Sequence, residues 1–168
     1  IISPHDKNII AEVQKIKSVD EVLFNGDDSQ ITSIGHEFDE LYTDNIKTLS
    51  LSPGIIQEQK DMKIVYTPIH GTGVKLVPMA LKKIGFTNVF NVPEQDISDG
   101  NFPTVKSPNP EETAALAMAI QKARETDAEL VMATDPDSDR VGIAVKDNTG
   151  KFIILNGNQT AALLINYL

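Results

Sequence analysis

Leu130-Val131-Met132-Ala133-Thr134-Asp135-Pro136-Asp137-Ser138-Asp139-Arg140 joins a short apolar run to three carboxylates that alternate with small or rigid residues. The apolar run reads as a buried strand and the acids as its exit loop. Carboxylates held this close repel one another, so such a loop is favourable only with a cation among them. Oxygen donors, with no Cys in the chain and no His close by in sequence, favour a hard divalent ion such as magnesium, calcium or manganese over zinc. Arg140 sets a fixed positive fork beside the acids, and a metal paired with a guanidinium can hold a phosphate while its charge redistributes. Phosphoryl chemistry is therefore the first reading, and a solvated acidic turn is the plain alternative.

Two rival metal motifs can be tested by counting. An EF-hand loop starting at Asp135 would need Gly at its sixth position and Glu at its twelfth, where this chain has Arg140 and Lys146. A haloacid-dehalogenase-like phosphatase also places two aspartates after a strand, but its pattern wants Thr or Val two residues after the second, where Asp139 stands. It stays a runner-up, beside a non-catalytic α/β module that holds a divalent cation for structure.

The run Asp135 to Arg140 resembles the magnesium loop of the alpha-D-phosphohexomutases, the phosphoglucomutase and phosphomannomutase superfamily. Four further stretches resemble that family in order and approximate spacing: Tyr66-Thr67-Pro68-Ile69-His70-Gly71-Thr72-Gly73, Asp99-Gly100-Asn101-Phe102-Pro103, Pro108-Asn109-Pro110-Glu111 and Leu155-Asn156-Gly157-Asn158. The resemblance implies interconversion of hexose 1-phosphates and 6-phosphates through a phosphoserine and a bisphosphorylated sugar. It implies Asp135, Asp137 and Asp139 as Mg²⁺ ligands and Arg140 as the catalytic, phosphate-contacting arginine. The family usually has Gly where Pro136 stands, which stiffens the loop without changing the ligand spacing. Its Ser-His-Asn-Pro motif occurs nowhere in this chain, so the chain by itself is expected to be inactive. The implied partners are a sugar phosphate and the remaining domains of a longer protein.

The composition, 40% hydrophobic and 23% charged over 168 residues, is ordinary for a globular domain with a sizeable core. The absence of Cys removes disulfides and thiolate metal sites. A net charge of -9 argues against general nucleic-acid binding, which needs a basic surface. No apolar run approaches the ~18 residues of a membrane span, and Ile1-Ile2 shows no signal-peptide pattern, so a cytoplasmic protein without membrane partners is expected. A start without Met and an end inside an unfinished helix suggest a piece of a longer protein.

In chain order, Ser3 as N-cap, Pro4 at the first position and the stripe Ile9, Ile10, Val13 and Ile16 predict a first helix. Asn25 to Ser29 reads as a linker. Phe38, Leu41, Ile46 and Leu49 follow helical spacing, and Ser52-Pro53 opens a short helix. Lys63 to Thr67 reads as a strand that turns at His70-Gly71-Thr72-Gly73 into a helix carrying Val74, Val77, Leu81 and Ile84. The two glycines are read as tight-turn residues, since the third glycine of a dinucleotide fingerprint is missing, and His70 as a structural histidine. Val89 to Val92 is the second strand, followed by a long loop to Asn109 and a helix with Asn109 as N-cap. Val141 to Val145 must return antiparallel to the strand before it, and Asp147 to Gly150 turns the chain into Phe152 to Leu155. The expected fold is α/β, a three-layer α/β/α domain with a mixed, mostly parallel four-stranded sheet. Residues 1–35 are expected to be the trailing helix and linker of a preceding domain, 36–150 the central domain, and 151–168 the start of a following one.

Overall fold

Ile64, Val65 and Tyr66 are almost completely buried in β1 (Lys63–Thr67), an interior strand of the sheet. It pairs in parallel with β2 (Asn88–Asn91) on one side and β3 (Leu130–Thr134) on the other. Helical crossovers lead to both neighbours, α4 (Gly73–Ile84) before β2 and α5 (Thr113–Thr126) before β3. The first crossover moves to one side of β1 and the second passes back to the other, so right-handed connections place α4 and α5 on opposite faces. Side-chain alternation agrees. Val65, Val131 and Ala133 join Ala115, Leu116, Ala119, Ile120 and Ala123 of α5 in one core cluster. Tyr66 points to the other face, where a Cβ on Gly73 would meet its hydroxyl. The alanines of α5 let the helix lie close on the sheet, where bulkier side chains would hold it away.

The sheet continues through two antiparallel strands, β4 (Val141–Lys146) and β5 (Phe152–Leu155), in the order β2-β1-β3-β4-β5. The expected count of four strands is therefore one short. Residues 152–155, expected in a following domain, form the sheet's fifth strand, with Phe152 in the same apolar core as α5. On the α4 side, α2 (His36–Thr48) packs against α4 and is tied to it by ion pairs from Lys83 to Glu40 and Asp44 and from Lys75 to Asp39. A short helix, α3 (Pro53–Glu58), leads into β1, and α6 (Gly157–Tyr167) follows β5 behind a reciprocal Asn156/Gln159 cap. The start of α5 differs from expectation: Thr113 begins it, three residues beyond the predicted Pro110. Asn109 instead accepts the Glu111 N–H in a local turn, and the Pro110 carbonyl lies so close to Gly142 of β4 that a Cβ there would collide with it.

The computed structural model describes all 168 residues, which divide into two units, Ile1–Gly35 and His36–Leu168. The sheet and helices above belong to the second. In the first, α1 (His5–Val13) has Pro4 rather than Ser3 at its cap and stops before Ile16. Its apolar residues Ile9, Ile10 and Val13 are exposed. Two short turns follow, capped by the side chains of Ser18 and Asp27. No helix in the chain is long and apolar enough to cross a membrane.

Candidate metal centre

The strand order reverses at β1, and Thr67 of β1 sits in register with Ala133 of β3. The loops leaving these two strands are thus adjacent at the carboxyl edge of the sheet, where open α/β sheets build their sites. The β3 loop brings together one oxygen from each of Asp135, Asp137 and Asp139, all within 4.8 Å of one another. Asp135 is 1% exposed, whereas Asp137 and Asp139 face solvent. The turn closes by a Ser138 N–H to Asp135 carbonyl bond of 3.0 Å, with Ser138 in the left-handed region at φ 62°.

Arg140 grips the buried acid twice. Its backbone N–H donates to Asp135 Oδ1 at 2.9 Å and its Nε to Oδ2 at 2.8 Å. Burial pushes the Asp135 carboxyl up, but the two Arg140 bonds and the neighbouring Asp139 carboxyl outweigh it and hold the group below the usual carboxylate range. Asp139 moves the other way, raised by its contact with the Asp135 carboxyl and by the charges of Asp137 and Asp135. Arg140 is raised by its bond to Asp135. Each Asp135 oxygen accepts one hydrogen bond and keeps a second lone pair. Three carboxylates against one guanidinium leave an excess of negative charge, which suits a divalent cation with oxygen ligands. The Nη groups of Arg140 make no hydrogen bond to the protein, and the side chain is 57% exposed.

The β1 loop supports this arrangement from the side. Thr72 donates its N–H to the Pro136 carbonyl at 2.8 Å and its hydroxyl to the same oxygen at 3.1 Å. Tyr66 OH lies 2.8 Å from Thr134 Oγ1, just before the first aspartate. His70 is buried, with Nδ1 3.0 Å from the Ile97 carbonyl and Nε2 2.8 Å from Thr104 Oγ1. A carbonyl only accepts, so Nδ1 carries the proton and Nε2 accepts from Thr104. Gln95 continues the chain, donating to Thr104 at 3.1 Å and accepting from Thr67 at 2.7 Å. These bonds pin the long loop after β2 against the β1 turn, so it is a fixed wall. A cleft of about 260 Å³ lies between them, lined by His70, Gly71, Ser98, Asp99, Phe102 and Pro136 among others. Sequence reasoning did not single out Tyr66, Thr72, Gln95, Thr104 or Thr134 for these roles. Hydroxyl and amide residues carry no spacing signal, and their partners lie up to 68 residues away.

Residues 40–150 match the family described as phosphoglucomutase/phosphomannomutase, alpha/beta/alpha domain II. A phosphoglucomutase of Staphylococcus haemolyticus is 48% identical over 110 residues, which cover 66% of this chain and 20% of that protein. A Haemophilus influenzae protein named "Probable phosphomannomutase" is 36% identical over 168 residues, all of this chain and 33% of its own length. Among solved structures, a phosphoglucomutase/phosphomannomutase family protein of Burkholderia thailandensis superposes with a TM-score of 0.53 at 30% identity, covering 68% of this chain and 22% of that one. A Thermus thermophilus structure at 23% identity shares the fold, with a TM-score of 0.60 over 77% of this chain and 28% of that one. The chain thus spans about a fifth to a third of the length of these proteins.

Proposed function

The chain belongs to the phosphoglucomutase/phosphomannomutase family, and we propose that it is the central α/β part of such a mutase, supplying the cation loop for phosphoryl transfer on sugar phosphates. The observation that carries this reading is the convergence of the three Asp oxygens within 4.8 Å beside Arg140. Asp135, Asp137 and Asp139 would hold Mg²⁺, which when bound offsets charge on a transferring phosphoryl group. Asp135 is fixed before any cation arrives, because Arg140 orients both of its oxygens. Arg140 in turn keeps its Nη pair free, a planar fork suited to two phosphate oxygens.

Residues 1–35 fit the trailing part of a preceding domain. A following domain, expected from 151, would begin after β5, since that strand completes this sheet. The Ser-His-Asn-Pro motif does not occur in this sequence, so on this reading the chain by itself would not turn over a hexose phosphate. A cytoplasmic location belongs to the same proposal. In the longer protein, Arg140→Ala should lower kcat by about 10²- to 10³-fold, the usual effect of removing one positioned charge from a transition state. Wild-type kinetics in that variant would take Arg140 out of the site.

A further inference from the structure

We propose that Thr72 is a positioning residue for the acidic loop, gripping its backbone at Pro136 and so setting where Asp137 and Asp139 stand. This role rests on the reading of that loop as a cation site. Two backbone observations point to it. Gly71 and Gly73 do not have positive φ; the left-handed positions of the turn are Ile69 at 48° and His70 at 63°. Conformational freedom therefore does not explain the glycines. Close approach does: a Cβ on Gly71 would run into the Pro136 backbone, and one on Gly73 into the hydroxyls of Tyr66, Ser138 and Thr134. Both glycines clear space for the acidic loop and for the strand residue that leads into it.

Thr72 stands between them and makes the contact that this closeness permits. Its N–H and hydroxyl converge on one carbonyl, that of Pro136, and its Oγ1 lies 3.4 Å from Ser138 Oγ. Pro136 and Ser138 are the residues that separate the three aspartates, so fixing them fixes the spacing of the acids. Pro136 has a locked φ, and the Thr72 bonds restrain its carbonyl end. On its other side the turn is held by His70, through Ile97 and Thr104, and by Ser98, which donates to the Gly71 carbonyl at 3.1 Å. The turn can thus act as a fixed post.

The test uses Thr72→Val, which keeps shape and removes the hydroxyl, with Thr72→Ser as the conservative control. Amide exchange of Ser138 and Arg140, both bonded to Asp135, reports the loop without metal, and β1 and β3 amides report the sheet. Mn²⁺, which takes the same oxygen ligands, reports the site by electron paramagnetic resonance. Losing one neutral hydrogen bond corresponds to about a fivefold change. Thr72→Val should speed loop exchange and weaken Mn²⁺ binding by about that factor, with sheet amides unchanged and Thr72→Ser near wild type. Unchanged loop exchange in Thr72→Val overturns the inference, as does a loosened loop that binds Mn²⁺ normally. A wild-type chain that binds no Mn²⁺, while its loop amides still respond to Thr72→Val, overturns the cation reading and supports the Thr72 coupling. Gly71→Ala repeats the test from the other side of the contact and should act in the same direction as Thr72→Val.

Discussion

Tyr66 is fully buried beneath the acidic loop, and burial pushes its phenol up to about 12 even though Thr134 bonds its oxygen. A tyrosine whose folded value lies above its unfolded one contributes stability that is whole below the unfolded value. That stability is lost as the pH rises toward the folded value. Alkaline unfolding should therefore set in between about pH 10 and 12, with phenolate absorbance showing one late-titrating group. Tyr66→Phe should remove that late step. Charge crowding gives a second expectation. In chelator, Asp139 is held among like charges that raise it, so Asp139→Asn should increase the melting temperature. Millimolar magnesium should shrink or reverse the gain. A lower melting temperature in chelator would mean that Asp139 is a structural acceptor and not a cation ligand. The convergence of the three aspartates beside Arg140 was legible because like charges at alternate positions need a partner that sequence can name. The glycines were read as turn residues, and the Gly71 N–H does close a turn on the Pro68 carbonyl, but the space that Gly71 and Gly73 clear was not legible because what fills it lies across the sheet edge.

At the scale of elements, the hairpin between β4 and β5 depends on Asp147. Its Oδ1 accepts from the Thr149 N–H at 2.8 Å, the Thr149 hydroxyl at 2.7 Å and the Lys151 N–H at 2.9 Å. Those bonds, the Thr149 hydroxyl foremost, hold its carboxyl below the usual range. A depressed carboxyl contributes stability above its unfolded value, and that stability is lost as pH falls through the folded one. Asp147→Ala should thus lower the melting temperature at neutral pH, and the difference from wild type should close in acid. Thermal melts from neutral to strongly acidic buffer would check it; a difference independent of pH would show that the charge is irrelevant. The strands β1 and β3 are plain in the sequence, being short apolar runs with loop signals on each side. The start of α5 is not, because Asn109-Pro110 is a good helix opening in isolation and only the approach of Gly142 turns Pro110 into a packing residue. Likewise Phe152 to Leu155 read as a strand, but nothing local says which sheet it joins.

On the whole-molecule scale, the loop offers three carboxylate ligands on an open edge, while Mg²⁺ requires near-octahedral ligation and gives up water reluctantly. The remaining positions must be filled by water or by groups that these residues do not supply. The matched relatives are three to five times as long as the stretch they share with this chain, which leaves room for such groups elsewhere in a complete mutase. Magnesium affinity of this chain should accordingly be no tighter than about millimolar. A phosphate monoester added at saturation should tighten it, because its oxygens can complete the cation's shell while the free Nη pair of Arg140 takes the remaining charge. Arg140→Ala should abolish that tightening, while its affinity without the monoester reports separately the loss of the Nε bond to Asp135. Calorimetric titration of both proteins, with and without the monoester, separates the outcomes. Micromolar affinity in wild type without phosphate would mean that the loop is a complete site by itself, and no tightening by phosphate would mean that Arg140 is not placed to receive it.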